Sequence, residues 1–200
     1  SIFMEGKGDI SLLPSQIFTD KAGVIHSSGD KQSPWIGIAP FAAHKGKIYP
    51  IDKMEKVIQQ LIHTYPQVRL YLFGGGKEET AIMNQWAETY PQVINASSQL
   101  NGLAQELNLM SQLQLMISMD SGNMHLASLV NTPVISIWGA THPYAGFMGW
   151  NQDDANAVQV SLPCRPCSIY GNKPCLRGDY SCLNEIQPEE IINKVKFILQ

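Results

Sequence analysis

The sequence between residues 115 and 127 reads LMISMDSGNMHLA. An apolar run at 115–119 is followed by a small polar turn and then by a second apolar segment. This pattern predicts a buried strand that ends in a turn and opens into a helix over 122–129. A turn of this kind points free backbone N–H groups at an anion, so the stretch is typical of a phosphate-binding loop.

Four residues of this turn are candidates for ligand contact. Ser121 adds a hydroxyl, Gly122 lets the backbone approach a ligand closely, and His125 lies about one helical turn further on. Each also has a simpler interpretation, since Asp120 or Ser121 can cap the helix and His125 can be an ordinary core or surface histidine. Together, at the end of a strand, they favour phosphate binding.

Strands and helices alternate along the rest of the chain. Apolar runs that predict strands lie at 35–39, 68–73, 93–94, 115–119 and 134–138. Helical spacing is found at 51–65, 77–89, 100–110 and 122–129, and a last helix opens at Pro188. The alternation predicts an α/β fold with a doubly wound, Rossmann-like parallel sheet, because parallel strands need crossover connections. Ligands of such sheets bind outside the carboxyl ends of the strands.

Two further loops follow predicted strands. Residues 40–50 contain His44, Lys45 and Lys47, which suit neutralisation of a phosphate but are also common in solvated loops. Residues 74–79 read GGGKEE and lack the G-x-G-x-x-G spacing of a dinucleotide loop, which argues against a nicotinamide cofactor. The two glutamates also suit the first turn of a helix.

The four cysteines, Cys164, Cys167, Cys175 and Cys182, fall in one region with the spacing C-x2-C-x7-C-x6-C. This spacing could form a tetrahedral structural zinc site. Reduced thiols are the equal alternative. Disulfides are less favoured in a chain that shows no signal peptide.

Composition excludes several classes of protein. Hydrophobic residues make up 44% of the chain and charged residues 16%, which excludes intrinsic disorder. The net charge of −3 gives no footprint for binding nucleic acid. No apolar run approaches the roughly 18–20 residues of a membrane span. With no signal peptide, we expect a cytoplasmic protein.

The motif at 120–127, with Pro133 and residues 138–143 (WGATHP), resembles glycosyltransferase family 9, the bacterial heptosyltransferases that build the lipopolysaccharide inner core. The resemblance covers roughly residues 35–198. It includes residues 100–104 (LNGLA), the loop at 75–79, and residues 47–50 (KIYP), which are similar to a Lys-x-Trp-Pro element of the family. The Cys-Arg-Pro-Cys segment and Cys182 resemble the heptosyltransferase II branch.

The resemblance implies the C-terminal, donor-binding half of a glycosyltransferase-B fold, with an ADP-activated heptose as donor. Lys47 would contact the donor phosphates, and Glu78 the ribose or adenosine. Asp120 would meet the sugar, while Ser121, Gly122 and His125 would hold the diphosphate. No cofactor is required by this interpretation, because the sequence contains no Asp-x-Asp pair for a catalytic metal.

The chain also departs from the family pattern. Ala42 and Ala43 stand where heptosyltransferases often carry hydroxyl residues, and Tyr49 replaces a tryptophan. The family's N-terminal domain, which binds the lipopolysaccharide-core acceptor and supplies the general base, has no counterpart at 34–200, the expected donor domain. Residues 1–33 would then be an interdomain linker or leading arm. The protein would be peripheral to the inner membrane, with only indirect contact with the membrane surface.

The expected reaction is therefore inverting transfer of a heptose, with this chain alone binding ADP but transferring no sugar. Two other classes of function stay open. One is a transferase or epimerase that uses another nucleotide-sugar. The other is a non-catalytic nucleotide-binding or metal-binding module, the latter centred on the four cysteines.

Overall fold

The computed structural model describes residues 33–200 and, nearer the start of the chain, the backbone of two short strands. These strands, β1 (Ile17–Thr19) and β2 (Ile25–Ser27), pair in antiparallel orientation. They lie within residues 1–33, the expected linker. Most of that stretch lies outside the described residues, so its assignment as a linker stays a prediction.

Six parallel strands form the main sheet. They are β3 (Trp35–Ala39), β4 (Arg69–Leu72), β5 (Val93–Asn95), β6 (Leu115–Met119), β7 (Val134–Ile137) and β8 (Ala157–Val158). Their spatial order is β5-β4-β3-β6-β7-β8, and every pairing between neighbours is parallel. The predicted α/β fold with a parallel sheet is confirmed.

The helices occupy the intervals between strands. They are α1 (Ile51–Thr64), α2 (Lys77–Thr89), α3 (Ala96–Gln99), α4 (Leu103–Met110), α5 (Gly122–Leu129), α6 (Ser181–Asn184) and α7 (Pro188–Ile198). One prediction was wrong in detail, because the helix expected over 100–110 starts only at Leu103. Gly102 precedes it with φ of 81°, a left-handed conformation that cannot continue a right-handed helix. In the described part of the chain, no helix has the length and apolar character needed to cross a membrane.

Helices cover both faces of the sheet and create two apolar cores. One core joins α1 and α7 to the sheet, with Ile58, Leu61 and Ile191 fully buried. The other lies beneath α4 and α5, with Leu109 and Met124 fully buried. Strand residues are buried on both sides, which explains why the strands read as nearly continuous apolar runs.

The order in which the chain adds strands to the sheet reverses between β3 and β6. From β3 the chain winds outward through β4 to β5, and it then returns to place β6 on the other side of β3. At this junction Ala39 pairs with Ser118, so the loops that follow β3 and β6 leave the sheet side by side. Crevices of this kind are where open α/β sheets bind ligands.

Tyr49 ties the start of α1 to the turn before α7. Its side chain is fully buried, and its hydroxyl donates a hydrogen bond of 3.0 Å to the carbonyl of Ile186. The Lys53 ammonium donates to the same carbonyl at 2.9 Å. Burial raises the pKa of Tyr49 above its ordinary value, so the phenol remains a hydrogen-bond donor.

We expect Tyr49→Phe to lower the free energy of unfolding by about 1 kcal/mol, the net worth of one neutral hydrogen bond. The loss stays small because Lys53 still satisfies the Ile186 carbonyl. Urea denaturation measures the change. Tyr144→Phe is the matched control, since Tyr144 is 92% exposed and its replacement should leave stability unchanged. Equal effects of the two substitutions would contradict the anchoring role.

Candidate functional site

An ion pair between Lys47 and Asp120 occupies the crevice at the sheet reversal. Lys47 Nζ lies 3.0 Å from Asp120 Oδ2, and the two side chains are only 15% and 6% exposed. The same Oδ2 accepts a hydrogen bond of 2.8 Å from the hydroxyl of Thr141. The loops that follow three neighbouring strands, β3, β6 and β7, therefore converge on one carboxylate oxygen.

The loop that carries Lys47 is held close to the β7 loop by a glycine. Lys47 ends a short 3₁₀ turn, Lys45–Lys47, and the carbonyl of Gly46 accepts a hydrogen bond of 2.8 Å from the N–H of Ala140. A Cβ at position 46 would lie 2.8 Å from the Ala140 Cβ, closer than real side chains approach. The small residue at 46 is thus required for the two loops to meet.

The N terminus of α5 faces the same crevice. Ser121 precedes the helix, but its side chain makes no capping hydrogen bond and lies 3.3 Å from the Ser118 hydroxyl instead. Asp120 is engaged by Lys47 and Thr141, so capping explains neither residue. The N–H groups of Gly122 and Asn123 have no partner inside the helix, as in any first turn. They can bind an anion.

A cavity of about 280 Å³ opens beside this helix terminus. Its walls come from the loops after three neighbouring strands, β4, β3 and β6, and from helices α2, α4 and α5: residues 41–43, 74–75 and 121–123, with Glu79, Glu106 and Leu126. Of the predicted donor-binding residues, Ser121 and Gly122 line this cavity, whereas Lys47 and Asp120 do not. A Cβ at Gly122 would meet no atom within 4 Å, so this glycine borders open space rather than packed protein.

Of the two adjacent glutamates, the structure brings Glu79 to the cavity. Glu78, the predicted contact, is exposed in the first turn of α2 and does not line the cavity, and its contact with the donor stays a prediction. Glu79 lines it and accepts a hydrogen bond of 2.9 Å from the N–H of Gly75. Successive helical residues point about 100° apart, and the sequence alone could not choose between them. His125 is partly exposed one turn into α5, away from the cavity wall.

Residues 164–182, here called the cysteine-rich segment, pack against the β7 loop. Arg165 was not singled out by the sequence, yet its guanidinium donates hydrogen bonds to the carbonyls of Gly139 at 2.6 Å and Thr141 at 2.8 Å. The same side chain also donates to the carbonyl of Val160. A partly buried guanidinium whose donors are satisfied by carbonyls fixes the segment to the loop that contacts Asp120.

The four cysteines of this segment are free thiols. Among the residues that the structure describes, no group of three or more His, Cys, Asp or Glu side chains is arranged to hold a metal ion. Cys167 Sγ contacts the Cys164 carbonyl at 3.4 Å, and Cys175 Sγ contacts Asp179 Oδ1 at 4.0 Å. Within residues 33–200 these side chains form no metal-holding arrangement, so the geometry does not support the predicted zinc site.

Comparison with known proteins identifies the family. The sequence model of glycosyltransferase family 9 (heptosyltransferase) matches residues 12–175, which is most of the chain. The chain belongs to glycosyltransferase family 9. Lipooligosaccharide heptosyltransferase 2 of Campylobacter jejuni is 26% identical over 137 residues, which are 66% of this chain and 41% of that protein. The chain thus spans less than half the length of this family 9 relative.

Solved structures show the same fold. Heptosyltransferase II of Escherichia coli matches with a TM-score of 0.62 and 19% identity, over 84% of this chain and 47% of that one. TibC, an iron-containing dodecameric heptosyltransferase from enterotoxigenic E. coli solved with ADP-D-β-D-heptose, matches with a TM-score of 0.58 and 18% identity. That match covers 88% of this chain and 50% of TibC. At these identities the likeness establishes the fold alone.

Substitution of Lys47 and substitution of Asp120 should lower the free energy of unfolding by different amounts. Lys47→Met leaves the Asp120 carboxylate buried with Thr141 as its hydrogen-bond partner, and we expect a loss of about 2 kcal/mol. Asp120→Asn should cost less, because the amide keeps an oxygen that can accept from Lys47 and Thr141, and no buried carboxylate is left without its cation. Urea denaturation of both variants and of the double variant measures this. A larger loss for Asp120→Asn than for Lys47→Met would contradict the buried pair.

The thiols should differ in reactivity. Backbone hydrogen bonds, first that from Tyr180, lower the pKa of Cys175, whereas burial raises the pKa of Cys182 to about 11. Because the thiolate is the nucleophile, Cys175 should be alkylated first as pH rises and Cys182 last. Iodoacetamide labelling read by mass spectrometry tests this order. Protection of all four thiols by added zinc would restore the metal interpretation.

Proposed function

We propose that this chain binds the nucleotide-sugar donor, an ADP-activated heptose, of an inverting heptosyltransferase whose acceptor is the lipopolysaccharide core. The observation that carries the proposal is the buried Lys47–Asp120 pair beside the N terminus of α5, at the point where the sheet reverses. This arrangement places a cation and free backbone N–H groups together, which is the chemistry that a diphosphate requires.

Lys47 can serve the carboxylate and a phosphate at once. An ammonium carries three N–H donors, and Asp120 uses one of them. The others are available to oxygens of the diphosphate, together with the N–H groups of α5 and the Ser121 hydroxyl. Gly122 leaves the backbone accessible to the diphosphate. In the proposal His125, which lies one turn further along α5 and does not line the cavity, would contact the diphosphate by a rotation of its side chain, and Asp120 would contact the sugar.

The cavity beside α5 would receive the nucleoside. Glu79 is placed there with one carboxylate oxygen bonded to the N–H of Gly75. Its remaining lone pairs can accept hydrogen bonds from ribose hydroxyls, the role that the sequence had suggested for Glu78. Ala42 and Ala43 form an apolar part of the same wall, where a hydroxyl-bearing side chain would add donors.

The proposed reaction is a single displacement at the anomeric carbon. The acceptor hydroxyl attacks as it loses its proton to a carboxylate, and the bond from the anomeric carbon to the diphosphate oxygen breaks, which inverts the configuration. Negative charge grows on the departing diphosphate, where Lys47 and the α5 terminus stabilise it. The general base would belong to the acceptor-binding half of the enzyme, at the membrane surface that supplies the acceptor on the cytoplasmic side.

Similarity to the characterised proteins supports the donor class. TibC was solved with ADP-D-β-D-heptose, and an E. coli heptosyltransferase of the same fold, with TM-score 0.60, was solved with ADP. The Campylobacter relatives are named lipooligosaccharide and lipopolysaccharide heptosyltransferases. These ligands and names support an ADP-activated heptose as the donor and a lipopolysaccharide or lipooligosaccharide as the acceptor.

Calorimetric titration with ADP, ADP-heptose, UDP and adenosine tests the donor class. We expect ADP to bind and UDP to bind more weakly. Lys47→Ala should weaken ADP binding by about 10- to 100-fold, the worth of a charge-assisted hydrogen bond, and leave adenosine binding unchanged. Lys45→Ala is the matched control. It removes the same charge at a position two residues before Lys47, and the Lys45 ammonium lies over the ring of Tyr180 instead of against Asp120.

Three outcomes would count against the proposal. Failure of the wild-type chain to bind any adenine nucleotide would exclude the donor site. Preference for UDP over ADP would favour a different nucleotide-sugar. Equal losses in Lys45→Ala and Lys47→Ala would mean that general electrostatic attraction, and not the Lys47 site, binds the diphosphate.

A further inference from the structure

The cysteine-rich segment lies directly against the stem of Lys47. Gly171 is buried with φ of 71°, in the left-handed region. A Cβ built on Gly171 would lie 2.7 Å from both Cγ and Cδ of Lys47 and 3.2 Å from Thr141 Cγ2. Real Cβ atoms do not approach to 2.7 Å, so the backbone at Gly171 occupies the space next to this side chain as closely as a glycine allows.

Hydrogen bonds from Arg165 and Cys167 fix the segment to the loop that follows β7. Arg165 bonds to the carbonyls of Gly139 and Thr141, and the N–H of Cys167 donates to the Ala140 carbonyl at 2.8 Å. The loop so held is the one whose Thr141 hydroxyl bonds to Asp120. Both walls around the Lys47 side chain, the Gly171 backbone and the Thr141–Asp120 contact, are therefore parts of one cross-linked unit.

From this geometry we infer that the cysteine-rich segment positions Lys47, and that Gly171 is the positioning residue through which it acts. A free lysine side chain samples many rotamers, and holding one of them in advance lowers the cost of ligand binding. The segment thus holds the ammonium against Asp120, ready for the diphosphate. The role of Lys47 in binding the donor diphosphate rests on the proposed function, whereas the packing of Gly171 against the Lys47 side chain does not.

Gly171→Ala is the direct test, and Gly178→Ala is its matched control. Both glycines have left-handed backbones, with φ of 71° and 77°, so both substitutions carry the same kind of backbone strain. A Cβ at Gly178 meets nothing within 4 Å, whereas a Cβ at Gly171 meets Lys47. A difference between the two variants reports the contacts that only a Cβ at Gly171 makes, with Lys47 and with Thr141, and the Lys47→Ala background described below separates the two.

The first measurement uses no nucleotide. Acetylation of lysines by an N-hydroxysuccinimide ester is followed by mass spectrometry, with Lys45 as the internal reference. We expect Lys47 to react several-fold faster in Gly171→Ala than in the wild type, because its ammonium is displaced from Asp120 into solvent. Gly178→Ala should keep the wild-type ratio. An unchanged Lys47 rate in Gly171→Ala would overturn the inference.

The second measurement is a double-variant cycle on ADP affinity. We expect Gly171→Ala to weaken ADP binding about tenfold and adenosine binding hardly at all, since only the phosphate contact moves. In the Lys47→Ala background the same substitution should add no further loss, because the displaced stem is absent. An equal loss in both backgrounds would show a merely structural effect and overturn the inference.

The remaining outcomes are also decided. If Gly171→Ala does not fold whereas Gly178→Ala and Lys47→Ala do, folding of the Gly171→Ala/Lys47→Ala double variant supports the inference, and failure of this double variant contradicts it. If the wild-type chain binds no ADP, the proposed function fails, and the acetylation rates alone then decide whether Gly171 positions Lys47.

Discussion

The single oxygen of Asp120 that contacts both Lys47 and Thr141 is the interaction around which this end of the sheet is organised. A carboxylate that is nearly removed from water must be compensated, and here the compensation comes from the loops after the two strands that flank β6. The requirement explains the close approach of Gly46 to Ala140, because Lys47 reaches Asp120 only if these loops touch. It also leaves the helix terminus at Gly122 uncapped by Asp120 and open to a ligand.

The cysteine-rich segment takes its importance from its backbone more than from its thiols. Cysteine spacing is the most conspicuous feature of that stretch, and it directed the sequence interpretation toward a metal. In the structure the segment is fastened by the Arg165 guanidinium and meets the functional loops through the main chain at Gly171 and Cys167. A glycine and an arginine, both ordinary in sequence, define where the segment lies.

Two details depend on local geometry that the sequence pattern does not contain. Of the adjacent glutamates at the start of α2, Glu79 lines the cavity and Glu78 does not. The helix expected at 100–110 is broken by the left-handed backbone of Gly102. Tertiary packing decides which of two adjacent helical side chains faces a cavity, and it decides the φ of a single glycine. The spacing of apolar residues in the sequence contains neither.

The sequence by itself determined the alternation of the first five strands of the main sheet with their helices, the parallel orientation of that sheet, and the strand, small polar turn and helix over residues 115–129. Each follows from local patterns, namely apolar runs of strand length, helical spacing, and a small polar turn between them. Which loops touch was decided only by tertiary structure. The residues that meet here are spread over 124 positions of the chain: Lys47, Asp120, Thr141 and Gly171. They come together only because β6 lies beside β3 in the sheet and the chain returns past β7 to the cysteine-rich segment.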